Sequence, residues 1–398
     1  MIDEISPEMV AWKEIDWKRL TELNVRKLQR LMKEKEVDAL IVQSLDNFQY
    51  ITGYRVPANI NLIYYLHRQG AILPAEADQP IMLAGAADIF DVKHFHWIKD
   101  ARPTPIQAGL WPKIIKKALD DHKITGGTIA LDYTMQYVLA EKLQKELKGN
   151  YKFVDGSEIL ETARAVKNEE EIKVHRRAVA LAEVQMRAAI DAVREGVREI
   201  DVAVKAEYAL RMADPDAFPA WSLFVMSGDR AAYLERYASN KIIRRGEIVL
   251  IDGGCHYNGY YAEFSRHVMV GKPTNEQKKL YRVAWEAEQK AVEAVRPGVK
   301  ASEIDKIARG IIEDAGYGKY QHPHITGHGH GLEIHEAPLI GDPGQVKEYI
   351  LEPGMIVAIE PGIFKPGVGG VREEDILLVT ETGHEVLTKM EYEEKLLS

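Results

Sequence analysis

Two acidic residues stand at matching places in this sequence. Asp252 closes the apolar run of RRGEIVLIDGG (244–254), and Glu360 closes that of LEPGMIVAIEPG (351–362), 108 positions later. Each is followed by a glycine-containing return and a further acid. In the first case Asn258-Gly259 is a strong two-residue hairpin signal. That loop pairs Gly254 with Glu263 and Asp252 with Ser265, so Asp252 and Glu263 lie diagonally on one face. In the second, a return through Gly367, Gly369 and Gly370 leads to VREEDILLV, with Glu373, Glu374 and Asp375. Four converging carboxylates repel one another, and buried carboxylates need compensating charge. A metal pair supplies it. Nitrogen donors are at hand in HPHITGHGHGLEIHE: His322, His324, His328, His330 and His335. Oxygen-rich ligation with one imidazole suits Mn, Co, Fe or Zn. Two such ions about 3.5–4 Å apart polarise a carbonyl and activate water, which is hydrolytic chemistry. The same histidines could form a surface metal-binding tract, but the interleaved glycines and apolar residues argue against that.

These residues need a frame, and the frame repeats. AVREGVREIDV (192–202) resembles AVRPGVKASEID (294–305), 102 positions apart. In each half a long helix precedes the turn, and an apolar strand ending in a carboxylate follows. Asn168 with Glu171, and Thr274 with Gln277, read as capping boxes opening the two long helices. The first has an apolar face of Ile172, Val179, Ala182, Met186, Ile190 and Val193, and Gly196 closes it. A unit of about 100 residues used twice, within the usual domain range, implies two similar α+β halves facing each other. Upstream lies a mixed α/β unit, with the boundary expected between 1–158 and 159–398. There, residues 18–35 have helical spacing, and 38–44, 47–54, 70–84 and 128–132 read as strands. Residues 134–147 read as a helix.

Composition narrows the class of function. The chain has 398 residues, 46% hydrophobic and 28% charged, with a net charge of −9. That is an ordinary globular balance, and it argues against an extended basic surface for nucleic acid. A single cysteine, Cys255, excludes an intrachain disulfide and fits a reducing compartment; beside the site it reads as a small buried hydrophobe. Neither a secretory signal nor a membrane-spanning run is visible, so a cytoplasmic protein is expected.

GHGHGLEIHEAP (327–338), VAIEPGIF (357–364), GGVREEDILLV (369–379) and GEIVLIDGGCHYNGYY (246–261) resemble the signatures of the pita-bread metallopeptidases. These are prolidase, aminopeptidase P and methionine aminopeptidase, with creatinase as a metal-free cousin. DALIVQSLDNFQYITGY resembles part of the smaller N-terminal domain that prolidase, aminopeptidase P and creatinase share. The resemblance implies an α/β N-terminal domain, a duplicated α+β catalytic domain and a homodimer. It implies Asp252, Glu263, His328, Glu360 and Glu374 as ligands of one or two divalent ions. Glu360 matches the general base, His335 the histidine that steadies the scissile carbonyl, and Arg372 an arginine that orients ligands. His324 matches a substrate-pocket histidine. The implied activity is metal-dependent hydrolysis of C–N bonds in small substrates, as an Xaa-Pro dipeptidase or aminopeptidase. The alternatives are a creatinase- or ectoine-hydrolase-like enzyme on a small nitrogenous compound, and a binding module without catalysis.

The chain departs from the family pattern at three places. Ala262-Glu263-Phe264-Ser265-Arg266 stands where the family has Ser-Asp-Ile-Thr-Arg, and the longer arm reaches roughly 1.5 Å further. Leu234-Glu235 replaces a Pro-His whose histidine contacts substrate, which makes Glu235 a candidate substrate-binding residue. His330 occupies an apolar position and reads as an oriented loop histidine.

Overall fold

A computed structural model describes residues 15–55, 69–85, 88–95, 97–234 and 236–398. The chain divides into two compact units, one of residues 1–164 with 168–171, the other of 165–167 with 172–398. Among the described residues no helix is long and apolar enough to cross a membrane.

In the first unit, strands β1 (Ala39–Val42), β2 (Gly70–Pro74), β3 (Ile81–Ala84), β4 (Ala101–Pro103), β5 (Gly127–Leu131) and β6 (Tyr151–Asp155) form one sheet in the order β4-β3-β2-β1-β5-β6. β1 pairs antiparallel with β2 and parallel with β5. All four of its side chains are buried, which explains its unbroken apolar run. Helices α1 (Trp17–Glu34), α2 (Leu45–Thr52), α3 (Ile89–Phe95), α4 (Pro112–Asp121), α5 (Tyr137–Glu146) and α6 (Ser157–Ala165) complete the element order there. Trp111, Ile115, Leu119 and Leu143 pack against Ile41, Ile72, Leu83 and Ile129 of the sheet.

Two local expectations need correction. Residues 47–54 are not a strand: 45–52 is helical. The Ser44 side chain accepts from the Asn47 amide, and Phe48, Ile51 and Thr52 are buried together at helical spacing. Gly53, at φ 72°, closes the helix in the left-handed region open to glycine. Aromatic and β-branched content suggested a strand, but the N-cap and the burial period decided the outcome. Residues 70–84 form two antiparallel strands, not one, with a turn between Pro74 and Ile81.

The second unit repeats itself. Helices α7 (Glu169–Ala192) and α8 (Glu199–Ala213) lead to β9 (Ile248–Tyr257); α9 (Asn275–Ala294) and α10 (Ala301–Asp314) lead to β13 (Ile356–Ile359). Both capping boxes form: Asn168 Oδ1 accepts from the amides of Glu170 and Glu171 while its own amide donates to Glu171, and Thr274 and Gln277 bond reciprocally. The buried stripe of α7 runs through Val174, Ala178, Val179, Ala182, Met186 and Ala189. Ile172, Ile190 and Val193 are only half-buried. The turns repeat bond for bond. Gly196 N–H donates to Ile243 O and Ile243 N–H to Val197 O; Gly298 N–H donates to Leu351 O and Leu351 N–H to Val299 O. Gly246 bonds Val270 as Gly354 bonds Val379.

β7 (Ala217–Pro219) and β8 (Phe224–Ser227) pair with β9, whose other edge carries β10 (Tyr260–Met269). β11 (Gly327–Gly329), β12 (Glu336–Ile340), β13, β16 (Asp375–Val379) and β17 (His384–Val386) form a sheet in the order β12-β11-β13-β16-β17, and β14 (Gly362–Lys365) pairs with β15 (Gly369–Arg372). The helices α9 and α10 bury Leu280, Ala284, Ala287, Ile304 and Ala308 in a core with Val357, Ile359 and Leu377.

Candidate metal centre

The hairpin register is the one the turn demands. Glu263 faces Gly254 and Ser265 faces Asp252, around Asn258 (φ 48°) and Gly259 (φ 93°). Both central residues have positive φ, the conformation that suits strand twist in a two-residue hairpin. In the other half, Ile359 faces Asp375, so Glu360 and Glu374 come next, just beyond the strand ends. His328 faces Ala358 across β11 and β13. The glycines around it have a steric reason: a Cβ at Gly327 would sit 2.0 Å from Ala358 O, and one at Gly329 2.4 Å from Ala337 O. Only bare backbones approach that closely.

The result is a buried cluster. Asp252, Glu263, His328, Glu360 and Glu374 are each no more than 3% exposed. Their donor atoms form overlapping triads within 4.8 Å: Asp252, Glu263 and Glu374; His328, Glu360 and Glu374; and Glu263, His328 and His330. His328 Nε2 is 3.2 Å from Glu263 Oε1 and 3.5 Å from Glu360 Oε1. Arg372 bridges two of the acids, pairing with Asp252 and lying 3.1 Å from Glu360 Oε2.

One guanidinium does not balance four buried carboxylates. Burial, then the neighbouring Glu263 and Glu360, push the Glu374 carboxyl well above the usual range. Burial also acts to raise Glu263, but the adjacent His328 and His330 imidazoles outweigh that and hold it low. Asp252 Oδ1, His328 Nε2 and both Glu374 oxygens are buried without a hydrogen-bond partner. Buried polar atoms are normally partnered. Four orphaned donor atoms among hard oxygens and an imidazole fit a divalent cation.

Comparison with known proteins places the chain. The model of metallopeptidase family M24 matches residues 173–381, and that of the creatinase/prolidase N-terminal domain matches 24–166. The chain is 34% identical over 371 residues to the Xaa-Pro dipeptidase of Pyrococcus horikoshii, covering 93% of this chain and 97% of that one. The chain belongs to metallopeptidase family M24. It is 42% identical over 267 residues to the Xaa-Pro dipeptidase of Pyrococcus furiosus, covering 67% of this chain and 75% of that one. The crystal structure of the prolidase from Pyrococcus horikoshii superposes with a TM-score of 0.80 at 32% identity, over 93% of this chain and 99% of that one. The fold is therefore the α/β N-terminal domain with the pita-bread catalytic domain, the chain is a metallohydrolase, and divalent metal use goes with the family.

The remaining candidates fall at different distances from this M24 cluster. The His335 ring packs edge-on to His328 with centroids 4.1 Å apart. Partial burial, then the His328 imidazole, pull its pKa down to about 4. His324 is half-buried against His322, its Nδ1 3.0 Å from Ile325 O. It connects to the acids through backbone, since the Glu360 amide donates to Thr326 O at 2.7 Å. Glu235 lies outside the described residues. Cys255 is buried and in no disulfide.

One residue escaped the sequence reading. His267 Nδ1 is 2.8 Å from Glu373 Oε1, and its Nε2 accepts from the Arg372 amide at 3.3 Å. This buried pair holds the backbone of the arginine that spans Asp252 and Glu360. The alternation that places Glu263 and Ser265 on one face also places His267 there, a signal available from spacing alone. Arg266, on the other face, donates to Glu374 O at 2.7 Å and to Asp375 Oδ1 at 2.5 Å.

Proposed function

We propose that this chain is a metal-dependent dipeptidase that hydrolyses Xaa-Pro dipeptides. The observation that carries the reading is the convergence of Asp252, Glu263, His328, Glu360 and Glu374, drawn from both halves of the duplicated unit. The naming of its near-full-length Pyrococcus relative as an Xaa-Pro dipeptidase supports the substrate class. In this reading those five side chains hold one or two divalent ions among Mn, Co, Zn and Fe. Such ions supply Lewis acidity toward the scissile carbonyl and lower the pKa of the attacking water. Glu360 accepts the proton of that water. Its carboxylate is pre-set by the contacts to Arg372 and His328, so little reorientation is needed during the reaction. Arg372 keeps Asp252 and Glu360 in register. His335, at the exposed rim beside His328, donates a hydrogen bond to the carbonyl oxygen as it gains charge. His324 lines the substrate side, and Glu235 is assigned to substrate on the sequence pattern alone. A homodimer, on the family resemblance, and a cytoplasmic setting, which the single cysteine fits, complete the reading.

The test is a substrate panel of Xaa-Pro dipeptides, longer Xaa-Pro peptides and creatine, with and without added Mn²⁺. Metal-dependent turnover confined to the dipeptides is the expected result. Turnover of creatine with none of the Xaa-Pro substrates would overturn it.

A further inference from the structure

Glu263 is longer by one methylene than the aspartate of the family pattern, and His330 replaces an apolar residue. The structure brings these two departures into contact. His330 Nε2 is 3.3 Å from Glu263 Oε1, and the same oxygen is 3.2 Å from His328 Nε2. His328 and His330 are two residues apart on an extended segment, so both imidazoles face the same side. Both are buried, at 1% and 0% exposure, with ring planes 85° apart and centroids 4.9 Å apart.

We propose that His330 is a metal ligand in this chain, giving the ion bound by His328 and Glu263 a second imidazole. The proposal rests on the metal-dependent reading above and adds to it a donor that the family pattern lacks. Metal–ligand bonds of about 2.0–2.2 Å place neighbouring ligand atoms about 3.0 Å apart in an octahedron and about 3.4 Å apart in a tetrahedron. The separations of 3.2, 3.3 and 3.5 Å among Glu263, His328, His330 and Glu360 are of that size. His328 Nε2 makes no hydrogen bond despite its proximity to Glu263 Oε1. The two atoms lie side by side, as two ligands of one cation do, and not as donor and acceptor. His330 bonds Glu263 through Nε2; on ligation the cation takes the place of that hydrogen bond, and the neutral imidazole carries its single N–H on Nδ1, which makes no hydrogen bond here. The longer arm of Glu263 then has a purpose, since it reaches both imidazoles. Two nitrogens in place of one shift the donor set toward borderline ions, so zinc or cobalt gains over manganese.

The experiment uses the full chain, stripped with a chelator and reloaded with one equivalent of Zn²⁺. X-ray absorption at the zinc edge counts imidazoles: two are expected in the unmodified protein and one in His330→Leu. Competition with a chelating indicator should show zinc affinity falling about 100-fold in His330→Leu, with manganese affinity falling less. A thermal melt confirms that the variant is folded, and the count on the unmodified protein stands even if the variant is not. A single imidazole in the unmodified protein, or unchanged zinc affinity in folded His330→Leu, overturns the proposal while leaving the peptidase reading in place. An unmodified protein that takes up no zinc and cleaves no Xaa-Pro dipeptide overturns both.

Discussion

Strands β8 and β11 hold equivalent places in the two halves of the catalytic unit. Met226 faces Leu250 across β8 and β9, and His328 faces Ala358 across β11 and β13. Leu250 and Ala358 are 108 positions apart, Met226 and His328 102, the two offsets of the internal repeat. One half therefore carries a thioether where the other carries the imidazole of the candidate metal centre. Met226 packs with Ala231, Leu250 and Phe364, and its sulfur accepts from the Arg236 amide. The same comparison on the opposite strands sets Ser265 against Glu374 and Glu263 against Arg372. Duplication supplies the frame and the strand-end acids; single residues at matched positions decide which half adds an imidazole to the shared cluster and which half packs there.

The largest effect tests that comparison directly. His328→Ala should lose bound metal and lower turnover at least about 10³-fold, because the ligand cluster depends on its nitrogen. Met226→Ala should keep its metal and instead lose about 2–5 kcal/mol of stability, the cost of emptying a buried methionine site. Metal analysis beside denaturant unfolding of both variants gives the answer; a fully metallated, active His328→Ala protein would break the comparison. Next comes Arg372→Met, which should cost about 10–100-fold in activity or metal affinity, since it orients two ligands without being one.

A smaller effect is expected at the matched position Glu263. Metal content of the protein as purified should be below two ions per chain, and Glu263→Asp should raise it, because the shorter arm returns the carboxylate toward Asp252 and Glu374. Elemental analysis decides this, and two tightly held ions with no gain on substitution would mark Glu263 as an ordinary ligand.

The smallest effect concerns the helices behind the strands. Glu288 in α9 is fully buried, at the position matching Met186 in α7. Burial, then Asp375, push its carboxyl well above the usual range. Its pKa is raised on folding, so the unfolded chain loses this proton first. Its contribution to stability is complete below the unfolded pKa of about 4.3 and is lost as pH rises toward the folded value. Glu288→Met should therefore stabilise the protein at pH 8, by an amount on the order of 1–2 kcal/mol, with the gain shrinking toward pH 5. Gln289 keeps its bond to the Tyr392 hydroxyl, so no new orphan is made. Melting curves from pH 5 to 8 that show the same difference throughout would remove the explanation.

Much of this was legible before any coordinates. The strand-end acids, the hairpin register that faces Glu263 with Gly254 and the helix caps follow from turn chemistry and side-chain alternation, which act over a few residues. The misreading of 47–54 came from the same short range, because aromatic and β-branched residues suit a strand until a buried face at helical spacing requires otherwise.

By itself, then, the sequence determined the repeat, the two acid-bearing strands and the set of histidines from which a ligand would come. Spacing could not say which of those histidines meets the acids. His322 and His324 lie against each other and His335 at the rim, while His328 and His330 reach Glu263. Nor could it pair His267 with Glu373, 106 residues away. Those contacts depend on how closely separate strands approach. That distance is set by glycines whose missing Cβ atoms matter only once β11 lies against β12 and β13. The electrostatic outcome is of the same kind: a carboxylate becomes costly only when tertiary packing removes its water and brings other carboxylates beside it.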